Sequence, residues 1–315
     1  MSGPTPLILD TDPGIDDAFA FLFAARSPEL SLRAVTTVFG NVGPELTSQN
    51  ALRLLTMLDR TDVPVGVGAA RPLVHAVPHR AEQWHGTDGL GGQSVLLPEA
   101  STRVDGRGAV ALMADVLRAA ETPVTIVAIG PLTNVALLLA AHPELHGRIG
   151  RVSVMGGGFS GGNTTASAEF NIWSDPEAAH RVLSGGEVPV SLVPIDLSLR
   201  CAVDGAWLAE LAEAGGPART LAAVAQHYRR TYLEYYGIDQ VALHDVLAVL
   251  EAARPGMLVR TPLPVEVDCG HGPGRGATFA NRLPGATGRP VDVLLDADVE
   301  EVSRFVLARL TAATH

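Results

Sequence analysis

The chain has 315 residues, almost half of them apolar, enough to bury a large core as one domain or as a domain with a substantial insertion. A formal net charge of -11 with no basic run argues against nucleic acid or an anionic membrane surface as a partner and favours a small neutral ligand. All 23 basic residues are arginine, which excludes lysine Schiff bases, lysine nucleophiles and phosphate-loop lysines.

Two cysteines, Cys201 and Cys269, are too few for a disulfide framework, so a reducing compartment and a cytoplasmic location are expected. The first residues lack the basic and apolar regions of a signal peptide, and no stretch approaches a membrane span.

Residues 7–9 form a short apolar run that stops at carboxylates, and residues 16–26 follow with helical character: a strand, a loop, a helix. The pattern recurs with a strand at 32–38, helices at 45–58 and 110–120, a strand at 124–129 and a helix at 132–141. A strand at 152–155, a helix at 176–183 and a strand at 188–193 continue it. Such alternation predicts an α/β fold with a mostly parallel central sheet flanked by helices. Ligands of these sheets sit beyond the carboxyl edge of the strands, so the residues just after strands are the first candidates for chemistry. Residues 203–245 read as a helical excursion, strandless from Val203 to Tyr236, that can cover the site. Strands at 259–268 and 291–295 and a helix from Val299 close the chain. No linker divides it, and residues 1–315 are expected to form a single domain.

The first strand ends in Asp10-Thr11-Asp12-Pro13-Gly14-Ile15-Asp16-Asp17, four carboxylates in eight residues. Charges that close repel, and the offset must come from a bound cation, from arginines or from the N-terminus of the next helix, where Asp16 or Asp17 suits a cap. One aspartate alone would be read as a cap; four at a strand end point to a cation. The cluster contains no cysteine or histidine, and all-oxygen ligation suits calcium or magnesium, not zinc. An Asp-x-Asp after a first strand also marks haloacid dehalogenase phosphatases, but their pattern calls for a downstream lysine, which this chain lacks.

The same octapeptide resembles the N-terminal signature of the inosine-uridine nucleoside hydrolases. Further matching segments are Thr36-Thr37-Val38-Phe39-Gly40-Asn41, Gly130-Pro131-Leu132-Thr133-Asn134, Met155-Gly156-Gly157-Gly158 and Asn163 with Glu169-Phe170-Asn171. Asp175-Pro176-Glu177-Ala178-Ala179 and His244-Asp245 complete the set, in order over roughly residues 6–250. The resemblance implies calcium-dependent hydrolysis of the N-glycosidic bond of ribonucleosides. Asp12, Asp17, Asp245 and the Ile129 carbonyl would hold Ca2+, and Asp12 would act as general base, with Asp10 supporting the loop. Asp16, Asn41, Met155, Asn163, Glu169 and Asn171 would contact the nucleoside. His244 would be the acid that protonates the leaving base, and His85, in the glycine-rich segment Trp84-His85-Gly86-Thr87-Asp88-Gly89-Leu90-Gly91-Gly92, would lie near that base in a mobile loop. Tyr228, Tyr232, Tyr235 and Tyr236 can stack on the base, although at helical spacing they also read as core. A homodimer or homotetramer is implied.

The chemistry agrees with the residue types. Cleaving a glycosidic bond builds oxocarbenium-like positive charge on the ribose, which carboxylate and amide oxygens stabilise selectively. Gly156-Gly157-Gly158-Phe159-Ser160-Gly161 satisfies a dinucleotide-binding pattern, but Gly162-Asn163-Thr164-Thr165 prolongs a loop where that motif needs a helix. Cys201 and Cys269 read as packing residues. The competing functions are a noncatalytic nucleoside-binding protein and a ribosyl transferase with an acceptor other than water.

Overall fold

The computed structural model describes residues 3–312 other than Ala286. Strand β1 (Thr5–Thr11) runs at the centre of the sheet and is followed by helix α1 (Ile15–Ala25). Every residue of α1 but Ala25 is buried, including Phe19, Phe21 and Phe23. A helix apolar on all sides needs neighbours on all sides. Strand β2 (Leu30–Thr37) pairs in parallel with β1, then come α2 (Pro44–Met57), the short β3 (Val65–Val67), α3 (Glu82–His85) and α4 (Ala109–Ala119). Strand β4 (Val124–Ala128), α5 (Thr133–Ala141), β5 (Ile149–Met155), α6 (Phe170–Ser174), α7 (Pro176–Ser184) and β6 (Val190–Val193) continue the alternation. Helix α8 (Ile195–Ser198) precedes β7 (Val203–Asp204), α9 (Gly205–Glu213), α10 (Gly216–Tyr236), β8 (Gln240–Val241) and α11 (His244–Ala253). Strands β9 (Leu258–Val267), β10 (Thr278–Ala280) and β11 (Pro290–Ala297) and helix α12 (Val299–Thr311) end the chain.

The nine-stranded sheet has the order β10-β9-β11-β6-β5-β4-β1-β2-β3. From β11 to β3 every pairing is parallel, and only β9 and β10 are antiparallel additions at one edge. The mostly parallel sheet expected from the alternation is therefore present. After β3 the chain returns to the other side of β1 and places β4 there, so strand order reverses between β1 and β4. That reversal splays the following loops apart and opens a crevice at the carboxyl edge.

One face of the sheet packs α1, α11 and α12, with α10 and α9 outside them; the other packs α4, α5 and α7, and each face has its own apolar core. The helical excursion differs from its reading in one respect: β7 and β8 pair antiparallel and tie its two ends together. Two residues per strand carry too little periodicity to be seen in sequence. Helix α11 is fixed along its length, because Ser153 donates to the Ala248 carbonyl at 2.8 Å and buried Glu251 accepts from Arg260 Nε at 2.6 Å.

Asp175 joins three segments near the same edge. Its carboxylate caps α7 through the Ala178 N–H (3.1 Å), accepts from Thr133 Oγ1 at the start of α5 (2.6 Å), and accepts from the Leu73 N–H (2.9 Å) in the segment before α3. Replacing it with alanine removes a cap and leaves buried donors unpaired, a cost of about 2–4 kcal/mol. Asp175→Ala is expected to lower the urea midpoint accordingly with an unchanged m-value; a midpoint equal to that of the parent chain would show that these bonds carry no stability.

Candidate active site

The crevice at the strand-order reversal is a cavity of about 280 Å³. Its floor is made by Asp16, Ile129, Met155, Asn171 and Asp245, which stand at the ends of β4 and β5 and at the starts of α1, α6 and α11. The lining also includes the aromatic group Trp84, His85, Tyr228, Tyr232, Tyr236 and His244, together with His79, Arg80, Asn163, Thr164, Phe170 and Trp173.

Beneath the floor the aspartates are held by an ordered set of donors. Asp10 Oδ1 accepts from Thr36 Oγ1 (2.6 Å) and Asn134 Nδ2 (2.8 Å), which lock the end of β1 to β2 and α5. Asp17 accepts from the Gly14 N–H (2.8 Å), the Thr11 hydroxyl and Asn41 Nδ2 (3.1 Å), so it also caps α1. Asp12 Oδ2 accepts the Asn41 N–H at 2.7 Å, while its Oδ1 is buried with no hydrogen-bond partner. A Cβ on Gly40 would lie 1.9 Å from Asp12 Oδ2, and one on Gly130 would lie 2.5 Å from Oδ1. Only glycine at these two positions leaves room for that carboxylate.

Asp16, Asp17 and Asp245 each offer a carboxylate oxygen within 4.8 Å of one another, and all three are buried. Burial, and then repulsion among them, raises the pKa values of Asp12, Asp16 and Asp245 well above the ordinary carboxylate range. Asp17 is also raised by burial, against the pull of its hydrogen bonds. Burial takes Asp10 to about 7 and Glu169 to about 7. Anions packed this way either take up protons or share a cation. The all-oxygen donor set and the orphaned Asp12 Oδ1 fit a hard divalent cation. Asp16, expected on the sugar, shares this oxygen cluster, and the charge of Asp12 acts on Asp245 beside it. The Ile129 carbonyl receives one hydrogen bond, from Asn171 Nδ2 at 3.0 Å, which leaves a second lone pair. Asn171 Nδ2 also reaches the Met155 carbonyl at 3.2 Å.

Glu169 caps α6, and its carboxylate accepts from the N–H groups of Gly157 (2.9 Å), Asn171 (2.9 Å) and Ile172 (3.1 Å). Asn163 lines the cavity and takes the Phe170 N–H on Oδ1 at 2.9 Å. The first helix after the Gly156 run starts only at Phe170, so the dinucleotide pattern has no helix to serve it.

In the aromatic group His244 holds Ser198 Oγ at 2.7 Å on Nδ1 and the Tyr232 hydroxyl at 3.0 Å on Nε2. Burial lowers its pKa to about 4, which keeps the ring neutral. His85 accepts the Ile15 N–H on Nδ1 at 3.1 Å, and burial lowers it to about 3. Its approach to Asp16 at 3.9 Å is therefore no ion pair. Trp84 packs among the tyrosines, stacked on Tyr236 and edge-on to Tyr232, whereas Tyr235 is 61% exposed. Within the glycine-rich segment the Asp88 carboxylate accepts the N–H groups of Leu90, Gly92 and Ser94. Cys201 is buried and its thiol is pushed up to about 11, so it is a packing residue. Ser198 is the partner that sequence reasoning missed, since nothing local distinguishes it.

Residues 7–304 match the family model described as inosine-uridine preferring nucleoside hydrolase. The pyrimidine-specific ribonucleoside hydrolase RihA of Klebsiella pneumoniae (strain 342) is 39% identical over 308 residues, 97% of this chain and 98% of that protein. The RihA of Enterobacter sp. (strain 638) is 43% identical over 79% of each chain. Among solved structures, a plant nucleoside hydrolase, PpNRh1, superposes with a TM-score of 0.92 at 33% identity, covering 98% of this chain and 100% of its own. A purine-preferring ribonucleoside hydrolase from Gardnerella vaginalis gives 0.91 at 28% identity, over 98% of both. Fold, site and relatives define a glycosidase of the N-ribohydrolase class, which cuts the bond between ribose and nucleobase with water. The chain belongs to the inosine-uridine preferring nucleoside hydrolase family.

Gly130→Ala puts a methyl group against Asp12 and is expected to cut kcat/KM by about a hundredfold or more, the scale of losing a well-placed catalytic group. Turnover within about twofold of the parent would show that the Asp12 cradle has slack.

Proposed function

We propose that the chain hydrolyses ribonucleosides, pyrimidine ribonucleosides by preference, with a calcium ion held by Asp12, Asp17, Asp245 and the Ile129 carbonyl. The observation that carries this reading is the convergence of buried Asp16, Asp17 and Asp245 on one point beside the unpartnered Asp12 Oδ1. Calcium bound there would coordinate the ribose diol and the water and make that water more acidic.

The chain's own residues do the rest. Asp12, free on Oδ1, takes the proton of the attacking water. Asp16, Asn41, Asn163, Glu169 and Asn171 hold the sugar and face the charge that grows on its ring. On the leaving side a neutral His244 sits between two hydroxyls: the Tyr232 hydroxyl gives its proton to the departing base, His244 Nε2–H holds the resulting phenolate oxygen by a hydrogen bond, and water returns a proton to Tyr232 once the base has left, with Ser198 fixing the ring through Nδ1. Trp84, His85 and the buried tyrosines exclude water and flank the base. The pyrimidine preference is supported by relatives named pyrimidine-specific at 39–43% identity, against 27–28% for those named for purine or inosine-guanosine activity.

One continuous nine-stranded sheet supports reading residues 1–315 as one domain. Among the described residues no helix is long and apolar enough to cross a membrane. Two free cysteines support a cytoplasmic setting. Exposed Leu233, Tyr235, Tyr236 and Ile238 at the end of α10 support assembly as a homodimer or homotetramer.

Release of reducing sugar from uridine, cytidine, inosine and adenosine, before and after chelation, tests the reaction. Cleavage is expected to disappear on chelation and return with calcium, with the pyrimidines ahead in kcat/KM. Undiminished cleavage in metal-stripped protein contradicts the metal assignment. Tyr232→Phe and His244→Ala are expected to slow uridine by about a hundredfold, the usual worth of a positioned proton donor, while sparing a p-nitrophenyl riboside. Equal losses on both substrates would remove this proton transfer from the mechanism.

A further inference from the structure

Strand β10 stands at one edge of the sheet and pairs only with β9, yet residues 275–278, which lead into it, dock on the segment between β5 and α7. Arg275 Nη2 donates to both carboxylate oxygens of Glu177, in the first turn of α7, at 2.8 and 2.9 Å. Gly276, at φ +78°, comes so near Trp173 of α6 that a Cβ there would lie 2.8 Å from the Trp173 Cα. Ala277 forms an antiparallel β-bridge with Ala168, the residue before Glu169. Thr278 is buried, and its hydroxyl accepts the Gly158 N–H at 3.0 Å and donates to the Gly158 carbonyl at 2.9 Å.

Both backbone groups of a buried glycine are thus satisfied by one side chain 120 residues away. The neighbouring Gly157 is held as well, because its carbonyl accepts the Ile195 N–H at 2.9 Å. Its own N–H donates to Glu169 Oε2 at 2.9 Å. The other two donors to that carboxylate, the N–H groups of Asn171 and Ile172, belong to the helix that Glu169 caps. Gly157 follows β5, so its bond is the one of the three that ties the carboxylate to the sheet.

We propose that Thr278 is a positioning residue for nucleoside cleavage: by holding both backbone groups of Gly158 it aims the Gly157 N–H at Glu169 and so sets where that carboxylate meets the ribose. The proposal rests on the hydrolase reading, in which Glu169 holds the sugar. Thr278 is not among the residues that line the cavity, so its effect passes through the carboxylate. Thr278→Val keeps the branched shape but has no hydroxyl, which strands the Gly158 N–H and carbonyl away from water. Thr278→Ser keeps the hydroxyl and loses only a methyl group.

The test measures kcat and KM for uridine on the calcium-supplemented enzyme, with urea midpoints to establish that each variant is folded. Thr278→Val is expected to lower kcat/KM at least about tenfold, the scale of a small misplacement at the sugar, and Thr278→Ser to stay within about threefold of the parent. Thr278→Ala, equally without a hydroxyl, takes the place of the valine variant should that chain not fold. In a Glu169→Ala background, where the carboxylate is gone, Thr278→Val is expected to cost less than about twofold more. The proposal is overturned if Thr278→Val stays within about twofold of the parent, or if it costs the same factor with and without the Glu169 carboxylate, the mark of a general loss of structure. If the parent releases no ribose from uridine, the hydrolase reading fails, and deuterium exchange at the Gly157 amide decides the positioning by itself. Faster exchange in Thr278→Val than in the parent and in Thr278→Ser supports it, and equal exchange rejects it.

Discussion

The crowding of buried carboxylates at the end of β1 is the constraint around which the rest of the site is organised. Asp10, Asp12, Asp16, Asp17 and Asp245 lie out of water near one point, with no arginine paired to them among the described residues. Burial raises the pKa of each, and protons taken up there would cancel the negative field that a positively charged ribose ring requires. A divalent cation held there would resolve the conflict by keeping the carboxylates ionised. The Thr36, Asn134, Thr11 and Asn41 contacts, with Gly40 and Gly130, hold the aspartates where one ion can reach them.

The fold explains how such a cluster is affordable. The floor occupies the point where strand order reverses between β1 and β4, and its oxygen-bearing groups come from segments far apart in sequence. Asp12 precedes and Asp17 lies in the first turn of α1, buried but for Ala25, Ile129 follows β4, and Asp245 is in the first turn of α11, whose far end is held by Glu251 and Arg260. Stability is concentrated in the two cores and spent at this edge. In the same cavity burial keeps His244 neutral, and its two ring nitrogens are both engaged by hydroxyls, the arrangement on which the proposed protonation of the leaving base rests.

Much of this was legible in the residues. Strand and helix alternation marks the parallel sheet because buried parallel strands and amphipathic crossovers leave distinct periodicities. Four aspartates after a first strand, and a His-Asp pair at a helix start, stand out because local charge of that density is costly without a purpose. The rest depended on contacts distant in sequence. Ser198 and Tyr232 meet His244 from 46 and 12 residues away, and no local pattern marks either as its partner. The antiparallel edge of β9 and β10 and the two-residue β7–β8 ladder are set by tertiary packing. His79 and Arg80 lie in a segment without regular structure, where periodicity is silent about which way a side chain faces. Asp16 and Asp17, neighbours in the first turn of α1, both reach the same oxygen cluster, so spacing alone could not divide metal and sugar roles between them.

The most direct measurement is an anomalous-difference map from crystals grown with calcium. The account predicts one ion at about 2.3–2.6 Å from the carboxylates of Asp12, Asp17 and Asp245 and from the Ile129 carbonyl. A map without a peak at that point, with the aspartates bridged by protons or waters at saturating calcium, would contradict it.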